Sequence, residues 1–517
     1  MLLKKIIIST LISPLLIGSS ALIFSGVTYA NDNAELEELR ALVQALDQKV
    51  KILDRKTELA SEDAAAAKKE TPIVNASAKG FGIKSADGNF ELKLRGQIQT
   101  DGRFYPDNQG FSSGNSNVKA VKANDTTLLK QFRPILQGTL WGKYDFLFTP
   151  DFGGGKTIVQ DAFVDAKFIP SLQLKVGKQK TPFGLERLQG DADGKFIERG
   201  LPNNLVPNRD IGLQLHGLFA NNTVDYALGV FNGVIDGNSS DSFTSSDTDN
   251  NTDKEFVARA FATPFKNSPG LLQGLGFGLA GTYSDFSGSG LGINATTAQT
   301  ANESNLPSFR SGLGQLSFFK YRTAAAGSAN TSGTFADGKR LRFSPQFYYY
   351  TGPFGLFGEY VQVDQDISKI DTGTKRSDKL KNDAWQIVAS WVLTGEDAGY
   401  TNPIPKRPFD VTNGTAWGAW ELVARYSELN VDDKAFSPFG TGTASTKQAR
   451  SYADPRAAVK QASAWAAGIN WYLNRNLKLA LDYEETSFDG GWTNIAGTSF
   501  EDRPKEKVLS TRLQLVF

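Results

Sequence analysis

Cysteine is missing from this chain altogether, and histidine and methionine occur once each, as His216 and Met1. The first absence excludes disulfides, thiolate metal sites and cysteine nucleophiles. A single histidine argues against histidine-cluster metal sites and most imidazole-based catalysis. Neither charge sign is in excess: 56 Lys and Arg stand against 55 Asp and Glu, for a formal charge of +1. Lys4 and Lys5 fall in a segment expected to be removed, and without them the charge is −1. No bulk basicity is left to attract nucleic acid, so any preference for anions must come from where the charges sit. Beyond the first thirty residues no run approaches the ~18 apolar residues of a membrane-spanning helix.

Those thirty residues read as a secretory signal: a cationic start (MLLKK), an apolar stretch containing Pro14, and a small-residue site ending at Ala30. The alternative is a helical anchor. Residues 31–59 follow as a predicted coiled-coil helix. Leu36, Leu39, Val43, Leu46, Val50 and Leu53 are spaced 3, 4, 3, 4, 3, which is an a/d seam with charges elsewhere. The alternative is a lone amphipathic helix. Residues 60–79 read as a linker.

From residue 80 to 517 short runs of alternating polarity recur, separated by Gly, Asn, Asp and Pro. FELKLRGQIQT sets Phe90, Leu92, Leu94 and Ile98 opposite Glu91, Lys93, Arg95, Gln97 and Gln99. Sixteen such strands are predicted, starting near residues 90, 127, 142, 157, 172, 211, 223, 254, 274, 341, 354, 383, 416, 461, 476 and 507. A half-buried soluble sheet would alternate in the same way. Three features favour a transmembrane barrel: the export signal, the large even strand number, and apolar faces ending in Tyr144, Tyr283, Tyr360, Tyr426 and Tyr483. Connections alternate between very short and long, the asymmetry of outer-membrane barrels. The expected fold is therefore all-β, a sixteen-stranded antiparallel barrel with inward-folded loops behind a short helix. In VLSTRLQLVF the alternation continues to Phe517, which is expected to act as the assembly signal read by the barrel-assembly machinery.

Several stretches resemble the phosphate-selective porin O and P family: VGKQKTPFGLERL, KFIERGLPNNLVPNRDIGLQLHG, SWVLTGE, GAWELVARYSELN and GINWYLNRNLKLALDYE. The resemblance implies a homotrimeric channel in the bacterial outer membrane, surrounded by lipid and lipopolysaccharide and favouring inorganic anions such as phosphate or polyphosphate. It implies no enzyme and no cofactor.

An anion pore needs rings of Lys or Arg. The connection 178–210 is the expected inward segment. There Lys178, Lys180, Arg187, Lys195, Arg199 and Arg209 face Glu186, Asp191, Asp193, Glu198 and Asp210, so an ion-paired structural plug is an equal reading. Between 303 and 342, Arg310, Lys320, Arg322, Lys339, Arg340 and Arg342 outnumber Glu303 and Asp337. They suit either the pore or lipopolysaccharide phosphates. Lys93, Arg95 and Arg133, with Lys175, Arg259, Arg425 and Arg512, are predicted to face the lumen, and could instead pair across strands.

Two motifs are discounted. GFGLAG, 276–281, matches a dinucleotide pattern but reads as a strand with a bare inner face. Asp247, Asp249, Asn251 and Asp253 begin like a calcium loop, but Thr252 stands where the glycine belongs. The competing functions are a general or small-organic-solute porin and, from another class, a barrel hydrolase using His216.

Overall fold

The computed structural model describes residues 32–106, 123–155, 157–240, 253–290, 298–299, 301–312, 317–325, 331–371, 374–412, 414–440, 443, 448, 450–493 and 500–517. The expected signal segment 1–30 and the acidic stretch 247–252 lie outside the described residues. Two units are distinguished, 1–70 and 71–517.

In the first unit one α-helix, α1, runs from Asp32 to Glu70. It passes through the segment expected to be a linker. ASEDAAAAKKE is rich in strong helix formers and holds no Gly or Pro, so nothing stops the helix before Pro72. All six seam residues, Leu36 to Leu53, are exposed.

The second unit is a closed barrel. Its strands are β1 (Glu91–Phe104), β2 (Thr126–Leu140), β3 (Tyr144–Asp151), β4 (Ile158–Ile169), β5 (Leu172–Lys180), β6 (Arg209–Phe219), β7 (Val224–Phe231) and β8 (Glu255–Ala262). They continue as β9 (Leu275–Ser287), β10 (Phe335–Thr351), β11 (Phe354–Asp371), β12 (Thr374–Val392), β13 (Ala419–Asn430), β14 (Val459–Tyr472), β15 (Leu477–Thr493) and β16 (Glu506–Val516). Each pairs antiparallel with the next, and β16 pairs with β1 to close the ring. All sixteen predicted strands are present. The largest displacement is β12, which starts at 374 rather than near 383. TKRSDKLKND has no apolar alternation, yet it pairs fully with Gln362–Asp371 of β11. Its outward face there is polar, with Lys375, Lys379 and Lys381 exposed, while Leu380 turns inward and is fully buried.

Burial is inverted relative to a soluble protein. Leu92 and Leu94 are 46% and 47% exposed, whereas Gln99 and Asp101 on the opposite face are fully buried. Lipid solvates the outer face, and closure pairs the strand edges that hydrocarbon cannot. Outward aromatics form two belts. Near the short turns lie Trp420 stacked on Trp471 (4.9 Å) and Phe354 on Trp391 (5.8 Å). At the other level Trp385 meets Tyr426 (5.4 Å) and Trp465 meets Tyr483 (5.3 Å).

The seam between β16 and β1 carries extra structure. Phe517 exchanges backbone hydrogen bonds with Gly96 in both directions, at 2.9 and 3.0 Å. Its ring occupies the space a Cβ on Gly96 would need. Where β16 ends, a hairpin of Ile73–Ser77 and Gly80–Lys84 continues the pairing, with Phe81 opposite Leu94 and Lys84 opposite Glu91. Asn476 Nδ2 ties the hairpin to the seam by donating to the carbonyls of Ala78 (2.7 Å) and Val516 (2.6 Å).

The dry core lies inside the ring and is made by loops. Phe183, Leu201, Leu205 and Val206 from the 181–208 connection pack with Phe309, Phe318 and Phe319 from 288–334, all essentially inaccessible to solvent. The longest connection at the turn end departs furthest from the short-turn rule. Residues 393–418, between β12 and β13, bond to the 181–208 segment: Gln189 Nε2 donates to the Tyr400 carbonyl (2.5 Å) and Asn402 Nδ2 to that of Ala192 (2.8 Å).

Candidate functional site: a charged constriction in the lumen

Segment 181–208 leaves β5 and crosses the lumen to the far wall. The Leu185 amide donates to Glu359 of β11 (2.7 Å), Lys195 reaches Glu421 of β13 (2.8 Å), and the Ile197 amide donates to Asp482 of β15 (2.6 Å). From the near side Arg103 donates to Glu198 at 2.6 Å, and Lys130 pairs with the same carboxylate. Wall side chains thus bind the loop backbone, which is how a polar segment satisfies its peptide groups inside a barrel.

Asp191 is the hub of this segment. It receives Lys180 (3.1 Å), Arg199 (2.7 Å), Arg209 (2.8 Å) and Arg133. Burial would raise its carboxyl, but Arg209, Lys180, Arg199 and Arg133 together hold it well below the ordinary range. Arg133 also pairs with Asp151 (2.7 Å) and Arg209 with Asp161 (3.3 Å). Four of the predicted pathway cations are therefore first of all structural. The same holds for Arg340 and Arg342, which are sealed against Glu255, with Arg342 also on Asp236 (2.5 Å). Glu421 and Arg425 do not pair with each other. Arg425 goes to Glu484 (2.6 Å), while Glu421 takes Lys195 and the Tyr472 hydroxyl (2.6 Å).

Arg187 is different. It is buried, its polar contact is a long one to the Asn203 carbonyl (3.5 Å), and its Nε has no partner. No carboxylate among the described residues lies within ion-pair distance of it. Burial, with Arg199 and Arg209 nearby, lowers its pKa, yet it remains protonated at neutral pH. Arg187 borders a cavity of about 420 Å³ shared with Arg199 and Arg310. Arg310 is held there by its backbone, through paired hydrogen bonds with Asn204 at 2.9 Å each, and its side chain is exposed.

The model of the family described as phosphate-selective porin O and P matches residues 98–517. The chain belongs to this family. Porin O of Pseudomonas aeruginosa is 22% identical over 458 residues, 86% of this chain and 92% of that protein. Among solved structures, this porin is similar to the outer-membrane channel DcaP of Acinetobacter baumannii (12% identity, TM-score 0.48, 85% of this chain and 99% of that one). It is also similar to OmpT of Vibrio cholerae (11%, 0.47, 86% and 99%) and to an anion-selective porin of Comamonas acidovorans (10%, 0.45, 83% and 100%). The protein is an outer-membrane channel.

Toward the turn end of the porin a second cavity, about 520 Å³, is bordered by Lys93, Arg95 and Lys478. Lys93 pairs with Glu91 (2.8 Å). Among the described residues Arg95 has no carboxylate within ion-pair distance, and Lys478 donates to the Gly194 carbonyl (2.8 Å). Lys478 is absent from the predicted pathway set, although strand parity already turned it inward. At the loop end Lys320 and Arg322 border a mouth of about 580 Å³ with Lys369. Lys320 is exposed, and Arg322 pairs with Asp454 (3.1 Å). Lys178 is buried on β5. His216 is bonded through Nε2 to Asp165 (3.0 Å), with no hydroxyl bonded to the ring among the described residues.

Proposed function

We propose that this porin is a passive diffusion channel favouring anions, phosphate and polyphosphate among them, through the constriction built on 181–208. Arg187 carries the reading: a buried guanidinium without a carboxylate, facing a cavity it shares with two more arginines. A phosphate oxygen meets such a group by charge-assisted, often bidentate hydrogen bonds. Arg95 and Lys478 below, and Lys320 and Arg322 above, make several moderate sites in series. That arrangement suits conduction better than one deep site, because an anion must leave as easily as it arrives. The channel performs no covalent step.

Changing Arg187 and Arg310 together to Glu should lower the chloride-over-potassium permeability ratio by about fivefold or more, since local charge sets potentials of several kT in a narrow lumen. Reversal potentials in planar bilayers measure it. The double change of Lys320 and Arg322 to Glu, at the loop-end mouth and better screened, should shift the ratio less. An unchanged ratio in a folded Arg187 variant would return the residue to a structural role and leave a general porin.

The same reading takes the protein as a homotrimer steadied by α1. A 3-4 seam of exposed Leu and Val on a 39-residue helix is unburied until other copies cover it. Replacing Leu39, Leu46 and Leu53 with Asp should lower the temperature at which trimers dissociate in detergent gels, while each barrel stays heat-modifiable. Trimers as heat-resistant as before would give the helix another role.

A further inference from the structure

The inner wall of β8–β11 carries aromatic rings that the anion path does not use. The bare inner face of GFGLAG is where two of them rest. A Cβ on Gly276 would come within 2.7 Å of both Phe261 and Tyr348, and one on Gly278 within 2.6 Å of Phe261. Gly355 serves Tyr350 in the same way, at 2.8 Å. Side chains on these glycines would push the rings off the wall. As built, Tyr348 lies 5.0 Å from Phe261, 5.2 Å from Tyr350 and 5.7 Å from Tyr400, measured between ring centres.

The polar ends of this track separate structure from binding. Tyr400 is tied down, its hydroxyl donating to the Leu185 carbonyl. Tyr348 and Tyr350 are half-buried, and their hydroxyls bond to no described residue. Beside them Arg259 stands half-buried over the Phe261 ring at 4.9 Å, with Nε donating to Gln346 (3.2 Å). It has no carboxylate within ion-pair distance among the described residues. Asp225 is the acid whose charge acts on it most. A purely structural stack would close such ends on the protein, as Tyr400 does. Here two phenols find no such bond, and a guanidinium stands without a carboxylate, beside half-buried rings.

We propose that Tyr348, Tyr350 and Arg259 form a binding shelf for small aryl carboxylates, the ligand ring lying on the tyrosines and its carboxylate on the Arg259 guanidinium. Ring stacking and a cation beside an aromatic face each add affinity that a ringless or uncharged solute cannot collect. The shelf backs onto the constriction segment, since Leu185 shares an apolar cluster with Phe261, against which Tyr348 and Tyr400 pack.

Titration of the chloride current through wild-type trimers with benzoate, acetate and benzyl alcohol tests this. Benzoate should half-block at a concentration about tenfold below acetate, the ratio expected of one well-placed ring. Tyr350→Ala should narrow that gap to about twofold. Arg259→Gln should erase the preference for benzoate over benzyl alcohol. Equal half-block by benzoate and acetate on the wild-type protein would overturn the shelf without any variant. So would folded Tyr350→Ala trimers that keep the full gap.

Discussion

Replacing Asp191 by alanine should open the lumen. Four cations converge on this one carboxylate, and two of them, Arg199 and Lys180, have no other carboxylate partner among their ion pairs. Deleting one side of a buried pair costs about 3–5 kcal/mol, because the other side is left charged and unpaired. The 181–208 segment would move until water or salt reached those cations. Single-channel conductance should then rise at least about twofold, and protease should cut the segment in the folded barrel, since an ordered backbone resists cleavage and a released one does not. Asp191→Asn retains the shape but removes the charge, so it should raise the preference for chloride more than the conductance. The pH dependence has a definite sign. A carboxyl held below its ordinary range contributes fully above the unfolded value, about pH 4, and loses its effect only as pH falls through the lowered folded value. Wild-type conductance should accordingly be steady from neutral pH to about pH 4. An Asp191→Ala channel with wild-type conductance and intact protease resistance would show that the segment is held by its backbone bonds alone.

Strand number and faces were legible because a bilayer imposes a simple rule, apolar outward and polar inward, at a period of two. GFGLAG shows how far that rule reaches: it identified a bare inner face but not the rings that cover it, which come from β8 and β10. The inward course of 181–208 was legible from charge clustering, but its ion pairing was not. Arg133 meets Asp191 from 58 residues away, and Arg512 meets Asp101 from 411 away. Counting charges in one segment therefore treated as equivalent a neutralised Arg209 and a free-standing Arg187. The turn-end insertion 393–418 was missed for a related reason. Its polar, Pro-containing sequence looks like any solvated connection, yet Tyr400 and Asn402 bind it into the lumen.

Removal of Phe517 should cut the yield of heat-modifiable barrel in cells about tenfold, and the seam explains why. The residue contributes two backbone hydrogen bonds to Gly96, a ring over that glycine, and an edge-on contact with Phe81 at 6.1 Å. Without it, the groups of β1 between the end of β16 and the hairpin at Gly80–Lys84 would face hydrocarbon or interface unpaired, at a cost of several kcal/mol for each unsatisfied group. Closure is the last non-local pairing a barrel makes, so loss there exposes two long edges to aggregation. Gly96→Val separates packing from recognition. It retains Phe517 itself, but its side chain claims the space of the Phe517 ring. If the ring matters chiefly for closure, Gly96→Val should lower the melting temperature of the purified barrel while leaving its initial membrane targeting intact. If recognition dominates, only loss of Phe517 should reduce the yield. A polar residue at 517 giving wild-type yield and wild-type stability would reject both roles.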